Sequence, residues 1–86
     1  MEVSETQVLQ GIGEIVEDII GVPADGLTLD THLVDDRGLD SLAMVELGFA
    51  LEDRFGVEIA EENIKDLVVV RDMVGYVLDR AARVAS

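Results

Sequence analysis

In the stretch Asp35-Asp36-Arg37-Gly38-Leu39-Asp40-Ser41-Leu42, residue types and spacing could support chemistry. Ser41 follows Asp40, a good N-cap residue, and opens an apolar helical pattern. Its hydroxyl therefore falls in the first turn of a helix, beside backbone N–H groups that have no intrahelical partner. A phosphate ester formed on that hydroxyl would be favoured, because a helix N-terminus attracts an exposed anion by about 0.3 to 1 kcal/mol. Gly38 would let the preceding loop make a tight approach with no side chain in the way. Asp-Ser ahead of an apolar run also serves plainly as a helix cap, and these residues alone do not separate the two uses.

Little else in the chain offers chemistry. There are no cysteines, which excludes disulfides, thiolate metal sites and a cysteine nucleophile. His32, the single histidine, has no Ser, Cys or ligand cluster beside it and is assigned no chemistry. Asp35, Asp36 and Asp40 are close enough in sequence to bind a divalent ion weakly, but their spacing does not fit a calcium loop with its required glycine and distal Glu, so no specific metal site is expected. With no Ser-His pair, metal cluster or phosphate-binding glycine loop, the chain does not read as an enzyme.

The elements that must position Ser41 follow from caps and periodicity. Ser4-Glu5-Thr6-Gln7 fits a capping box with Val3 and Val8 at the staple positions, so a helix starts there. Val8, Leu9, Ile12, Ile15, Val16, Ile19 and Ile20 carry it at helical spacing until Gly21 and Pro23 stop it. A long loop runs from Val22 to Asp40, with Leu27, Leu29, Leu33 and Val34 spaced like anchors. Loops of this length in a small domain are often functional.

A second helix spans about Ser41 to Phe55, with Asp40 as N-cap and Gly56 as a left-handed stop. Met44, Leu47, Gly48, Leu51 and Phe55 form one apolar arc, and Leu42, Val45 and Phe49 an adjoining one. That breadth predicts a helix packed on two sides. Ala43, Glu46, Ala50 and Asp53 fill the arc left for solvent or a partner. One or two helical turns are expected around Glu61 to Asp66. Leu67-Val68-Val69-Val70 has strand propensity but no second strand to pair with, and reads as a buried loop entering a last helix, about Arg71 to Val84. Met73, Val74, Val77, Leu78 and Ala81 form that helix's apolar face, and Arg80 and Arg83 sit in its last turns, where the dipole favours cations.

Composition agrees with this all-α outline. The chain has 86 residues, within the range for one domain (1–86), with 49% hydrophobic residues and no Trp, so the core is built from aliphatic side chains. Apolar runs are far shorter than the ~20 residues that span a bilayer, and the N-terminus lacks a basic, then apolar leader pattern, which points to a cytoplasmic protein. The net charge is −13, which disfavours nucleic acid and anionic membranes and favours partners with basic patches. Residues 1–64 carry 16 acidic against two basic side chains, whereas residues 65–86 carry three against four. The acidic body suggests a face kept for basic partners, although solubility alone would also account for it.

Gly38-Leu39-Asp40-Ser41-Leu42 resembles the Gly-x-Asp-Ser-Leu attachment signature of acyl carrier proteins. The similarity continues through Val45-Glu46-Leu47, Ala50-Leu51-Glu52, Phe55, Glu58-Ile59, Val70 and Gly75-Tyr76-Val77, almost the whole chain. The resemblance implies a small bundle of three long helices and one short, with the long loop between the first two. It also implies a covalent 4′-phosphopantetheine, taken from coenzyme A by a phosphopantetheinyl transferase onto Ser41, with Gly38, Asp40 and Leu42 as its surroundings. On the same basis the second helix is the docking face for a ketosynthase, an acyltransferase or acyl ligase and other pathway enzymes. Glu46, Asp53, Ala43, Val45 and Phe49 are the candidate contacts there. Leu47, Leu51 and Val70 are candidate walls for a sequestered acyl chain, and the carrier is expected to be a monomer.

Arg37 departs from the family's usual leucine before the glycine, and Ala43 from the acidic residue common in fatty-acid carriers. Leu39 in place of a common alanine, together with Ala43, leans toward polyketide or related secondary-metabolite pathways. A fatty-acid carrier, an aminoacyl or peptidyl carrier, and an unmodified adaptor of the same fold are the alternatives.

Overall fold

A computed structural model describes residues 3–21, 23 and 26–85, with side chains described as far as Arg83. Val22, the expected first residue of the long loop, lies outside them. Four helices follow one another: α1 (Glu5–Ile20), α2 (Ser41–Phe55), α3 (Glu61–Ile64) and α4 (Val70–Ala85). Three are long and one is a single turn, as the sequence predicts.

α1 forms where its cap dictates. Gln7 N–H donates to Ser4 Oγ (3.2 Å) and Ser4 N–H to Gln7 Oε1 (2.9 Å), closing the capping box. The helix stops at Gly21, whose φ of 76° ends it in the left-handed region. Its buried face, Val8, Ile12, Ile15 and Val16, packs against α2 and α4.

α2 is covered on one side, not two. Met44, Leu47, Gly48 and Leu51 are buried against the other helices. Leu42 and Phe49 remain 68% and 51% exposed, and Val45 is half-buried. The expectation of two-sided packing fails because α3 has only four residues and sits over Gly48, so no element remains to cover the Leu42–Phe49 arc. Ala43 and Ala50, assigned to the open arc, instead pack partly against the core.

In the long loop, Leu33 and Leu39 are buried and Leu27 and Leu29 half-buried. Val34 is 38% exposed and does not act as an anchor. The strand propensity of Val68–Val70 is used after all, against this loop. His32 and Val69 form an antiparallel bridge. Leu33 N–H donates to Val68 O (2.7 Å), Val70 N–H to Thr31 O (3.0 Å) and Arg71 N–H to Leu29 O (2.8 Å). α4 then starts at Val70, buries Val70, Met73, Val74 and Val77, and is tied to α3 through Tyr76. The Tyr76 hydroxyl accepts from Asn63 Nδ2 (3.0 Å) and Arg80 Nη2 (2.9 Å).

Candidate functional site

The head of α2 gathers the residues singled out above. Asp40 holds an extended backbone (φ −89°, ψ −177°) and its Oδ1 accepts from Ala43 N–H at 2.8 Å. This cap satisfies the third amide of the helix and leaves those of Ser41 and Leu42 with no intrahelical acceptor. Ser41, the first helical residue, is exposed beside them.

The turn into the helix depends on Gly38, which has φ 74° and donates its N–H to Val34 O (2.9 Å). A Cβ there would meet nothing within 4 Å. Glycine is therefore needed for its backbone conformation and not, as the sequence suggests, for a close approach. Leu39 turns inward and is buried, its N–H donating to Leu33 O (3.1 Å).

The acidic residues ahead of the helix knit the loop. Asp36 Oδ2 accepts from His32 N–H (2.8 Å), and Asp35 N–H donates to His32 Nδ1 (3.0 Å). His32 thus has a structural use. Among the described residues, no three or more His, Asp or Glu side chains gather as a metal site would need.

A cleft of about 300 Å³ opens beside Ser41, lined by Val34, Leu39, Asp40, Met44, Lys65 and Val68 with Ser41 itself. Leu47, Leu51 and Val70 are not among its walls; each is fully buried in the core. Four of the lining residues, Val34, Met44, Lys65 and Val68, were not found by sequence reasoning. They come from three separate segments, the long loop, α2 and the stretch between α3 and α4, and the bridge joins the first to the last. Lys65 alone carried a signal, as the single lysine.

Along the open side of α2, Leu42, Glu46, Phe49 and Asp53 are all exposed. Their spacing of four, three and four residues makes one stripe of alternating apolar and acidic side chains running from the Ser41 end. Val45 is half-buried within the same helix. An exposed serine hydroxyl at an unpaired helix start, with a partly apolar cleft alongside, fits a phosphate ester bearing a long flexible arm.

The chain belongs to the phosphopantetheine attachment site family, whose match spans residues 10–77. It is 46% identical over 77 residues to an acyl carrier protein of Thermobifida fusca, covering 90% of this chain and 98% of that one. It is 38% identical over 77 residues to a meromycolate extension acyl carrier protein of Mycobacterium tuberculosis, covering 90% and 67%. Its fold matches the solution structure of the 3,7-dioxo-octyl actinorhodin acyl carrier protein from Streptomyces coelicolor. That match has a TM-score of 0.73 at 25% identity and covers 94% of this chain and 93% of that one.

These matches support the acyl carrier reading: a non-catalytic carrier with an all-helical fold and 4′-phosphopantetheine as its covalent group. Family membership also implies a phosphopantetheinyl transferase and biosynthetic enzymes as partners. No helix among the described residues is long and apolar enough to cross a membrane.

Proposed function

We propose that Ser41 is the attachment residue, and that the chain is a single-domain, monomeric cytoplasmic carrier for a polyketide or related secondary-metabolite pathway. The observation that carries the attachment is the exposed Ser41 hydroxyl at the first position of α2, held by the Asp40 cap and the Gly38 turn. When bound, 4′-phosphopantetheine supplies a terminal thiol on which acyl groups are held as thioesters. Ser41 Oγ would bear the ester at the helix start, next in sequence to the Asp40 cap and to an exposed Leu42, where first-turn amides without intrahelical acceptors would favour the phosphate.

Docking is assigned to the stripe Leu42, Glu46, Phe49 and Asp53, flanked by Ala43 and Val45. Its acidic members steer enzymes with basic patches and its apolar members give contact area. A ketosynthase and an acyltransferase or acyl ligase are the partners in view. Val34, Leu39, Met44 and Val68 offer the first apolar contacts to a cargo. Leu47, Leu51 and Val70, buried and outside the walls of that cleft, come into reach only if the bundle opens.

Leu39 and Ala43, together with the fold match to an actinorhodin carrier, support the polyketide lean. The Thermobifida relative, named simply an acyl carrier protein, supports a fatty-acid carrier as the second reading.

Incubation with coenzyme A and a promiscuous transferase should add one arm by intact mass, and Ser41→Ala should abolish it. The chain has no cysteine, so thiol titration should rise from near zero to one per chain. A wild-type chain left unmodified under active transferase would refute the assignment.

A further inference from the structure

We infer that Lys65 is a positioning residue for the prosthetic arm, pairing with its phosphodiester so that the arm leaves Ser41 across the cleft. This inference rests on the Ser41 reading. Lys65 follows α3 and lines the same cleft as Ser41, although the two come from different elements.

The other five cations of this chain are placed elsewhere: Arg54 with Glu14, Arg71 with Asp30, Arg83 with Asp79, Arg80 over the Tyr76 ring, and Arg37 half-buried with a guanidinium nitrogen against Gly26. Lys65 is exposed and makes no ion pair among the described residues. The other charged wall of the cleft, Asp40, turns its Oδ1 to the Ala43 amide in capping α2 and makes no ion pair with Lys65.

The chain therefore presents its only lysine, unpaired, in the wall of the cleft that Ser41 also lines, on a molecule of net charge −13. A compact, strongly hydrated ammonium suits a single phosphodiester charge and requires no fixed bidentate geometry. Pairing on that side directs the arm toward Val34 and Val68 and away from the Leu42–Asp53 stripe, which stays open to a partner.

The anionic oxygen could also come from a cargo carboxylate at the far end of the arm. The phosphodiester is favoured because it is fixed on Ser41 itself, in the wall that Lys65 shares.

The test uses full-length holo protein, with Lys65→Ala, Lys65→Arg and Lys65→Glu compared in the holo form without cargo and again after malonyl loading. For relaxation, the arm thiol of unloaded holo protein, the only thiol in the molecule, is tagged with a maleimide spin label, and malonyl-loaded protein, whose thiol carries the thioester, is read by ³¹P alone. The expected result for unloaded wild type is a salt-sensitive phosphodiester ³¹P shift and stronger relaxation enhancement at Val34 and Val68 than at Leu42 and Phe49. Lys65→Ala should move the ³¹P resonance, remove most of its salt sensitivity and at least halve the enhancement ratio between the two sides. Lys65→Arg should restore most of the ratio, and Lys65→Glu should lower it further. Identical ³¹P behaviour and relaxation in unloaded wild type and Lys65→Ala would overturn the assignment, as would a ³¹P difference that appears only after malonyl loading. A wild-type chain that takes up no arm would overturn the Ser41 reading and this one with it.

Discussion

Gly48 on α2 lies directly beneath Ile64 of α3: a methyl group built on Gly48 would stand 2.7 Å from Ile64 Cγ1. Gly75, in the middle of α4, has nothing within 4 Å of the same position. Both glycines are helical and both lose the usual conformational contribution relative to alanine, so the pair separates packing from propensity. Gly75→Ala should stabilise the fold by about 0.5 to 1 kcal/mol. Gly48→Ala should destabilise it by about 1 to 3 kcal/mol through overpacking, partly relieved by a second change, Ile64→Val. Urea denaturation of the four proteins measures this, and a Gly48→Ala protein more stable than wild type would contradict the contact.

The Asp40 cap should contribute about 1 kcal/mol, so Asp40→Ala is expected to lower stability by roughly 0.5 to 2 kcal/mol. Asp40→Asn should keep the cap and most of that stability. Comparing arm addition in the two variants then isolates any reading of the charge by the transferase. If the Asp40→Asn protein were modified at the wild-type rate, Asp40 would be a cap and nothing more.

The open stripe on α2 predicts that stability and partner use separate. Phe49→Ala should cost under about 1 kcal/mol, whereas Leu47→Ala, in the core, should cost about 2 to 5 kcal/mol. Glu46→Lys should leave the melting midpoint nearly unchanged yet lower kcat/KM with a cognate ketosynthase by about tenfold, mainly through slower and less salt-sensitive association. Asp18→Lys on α1 is the control, since it is exposed and distant in sequence, whereas Asp79 is paired with Arg83 at 3.3 Å. Equal losses at residues 46 and 18 would mean that net charge alone governs the encounter.

Self-repulsion should weaken the fold at low ionic strength. The ion pairs Arg54–Glu14, Arg71–Asp30 and Arg83–Asp79 all lie at the surface, where each contributes only about 0 to 1 kcal/mol. Even with every cation paired, the 19 acidic residues outnumber the 6 basic ones and leave a net charge of −13 without an opposite charge. The thermal midpoint should rise as salt shortens the Debye length toward about 10 Å at 0.1 M. A flat or falling midpoint over that range would show that the charges are already balanced within the fold.

Caps and periods made the helices legible. The Ser4 capping box, the Asp40 cap and the glycines at 21 and 56 fixed where α1 and α2 begin and end. The exposure of Leu42 and Phe49 was not legible, because an arc's apolarity says nothing about whether an element exists to cover it. Only the one-turn length of α3 decides that. The chemistry of Ser41 emerged through family resemblance, since a capped serine alone is ambiguous. The cleft was hidden for another reason: the Leu67–Val70 run showed its β preference plainly, but its partner is an irregular loop with no strand pattern to find.

That pairing of loop and connector has a mechanical consequence. Leu33 N–H reaches Val68 O, and their neighbourhood supplies two walls of the cleft, Val34 and Val68. These two walls are tied to each other through the backbone, whereas Met44 belongs to a different element, the first turns of α2. A shift of α2 against that tied pair would therefore change the aperture beside the serine, so a partner that grips α2 would act on the cleft and on the attachment residue through the same helix.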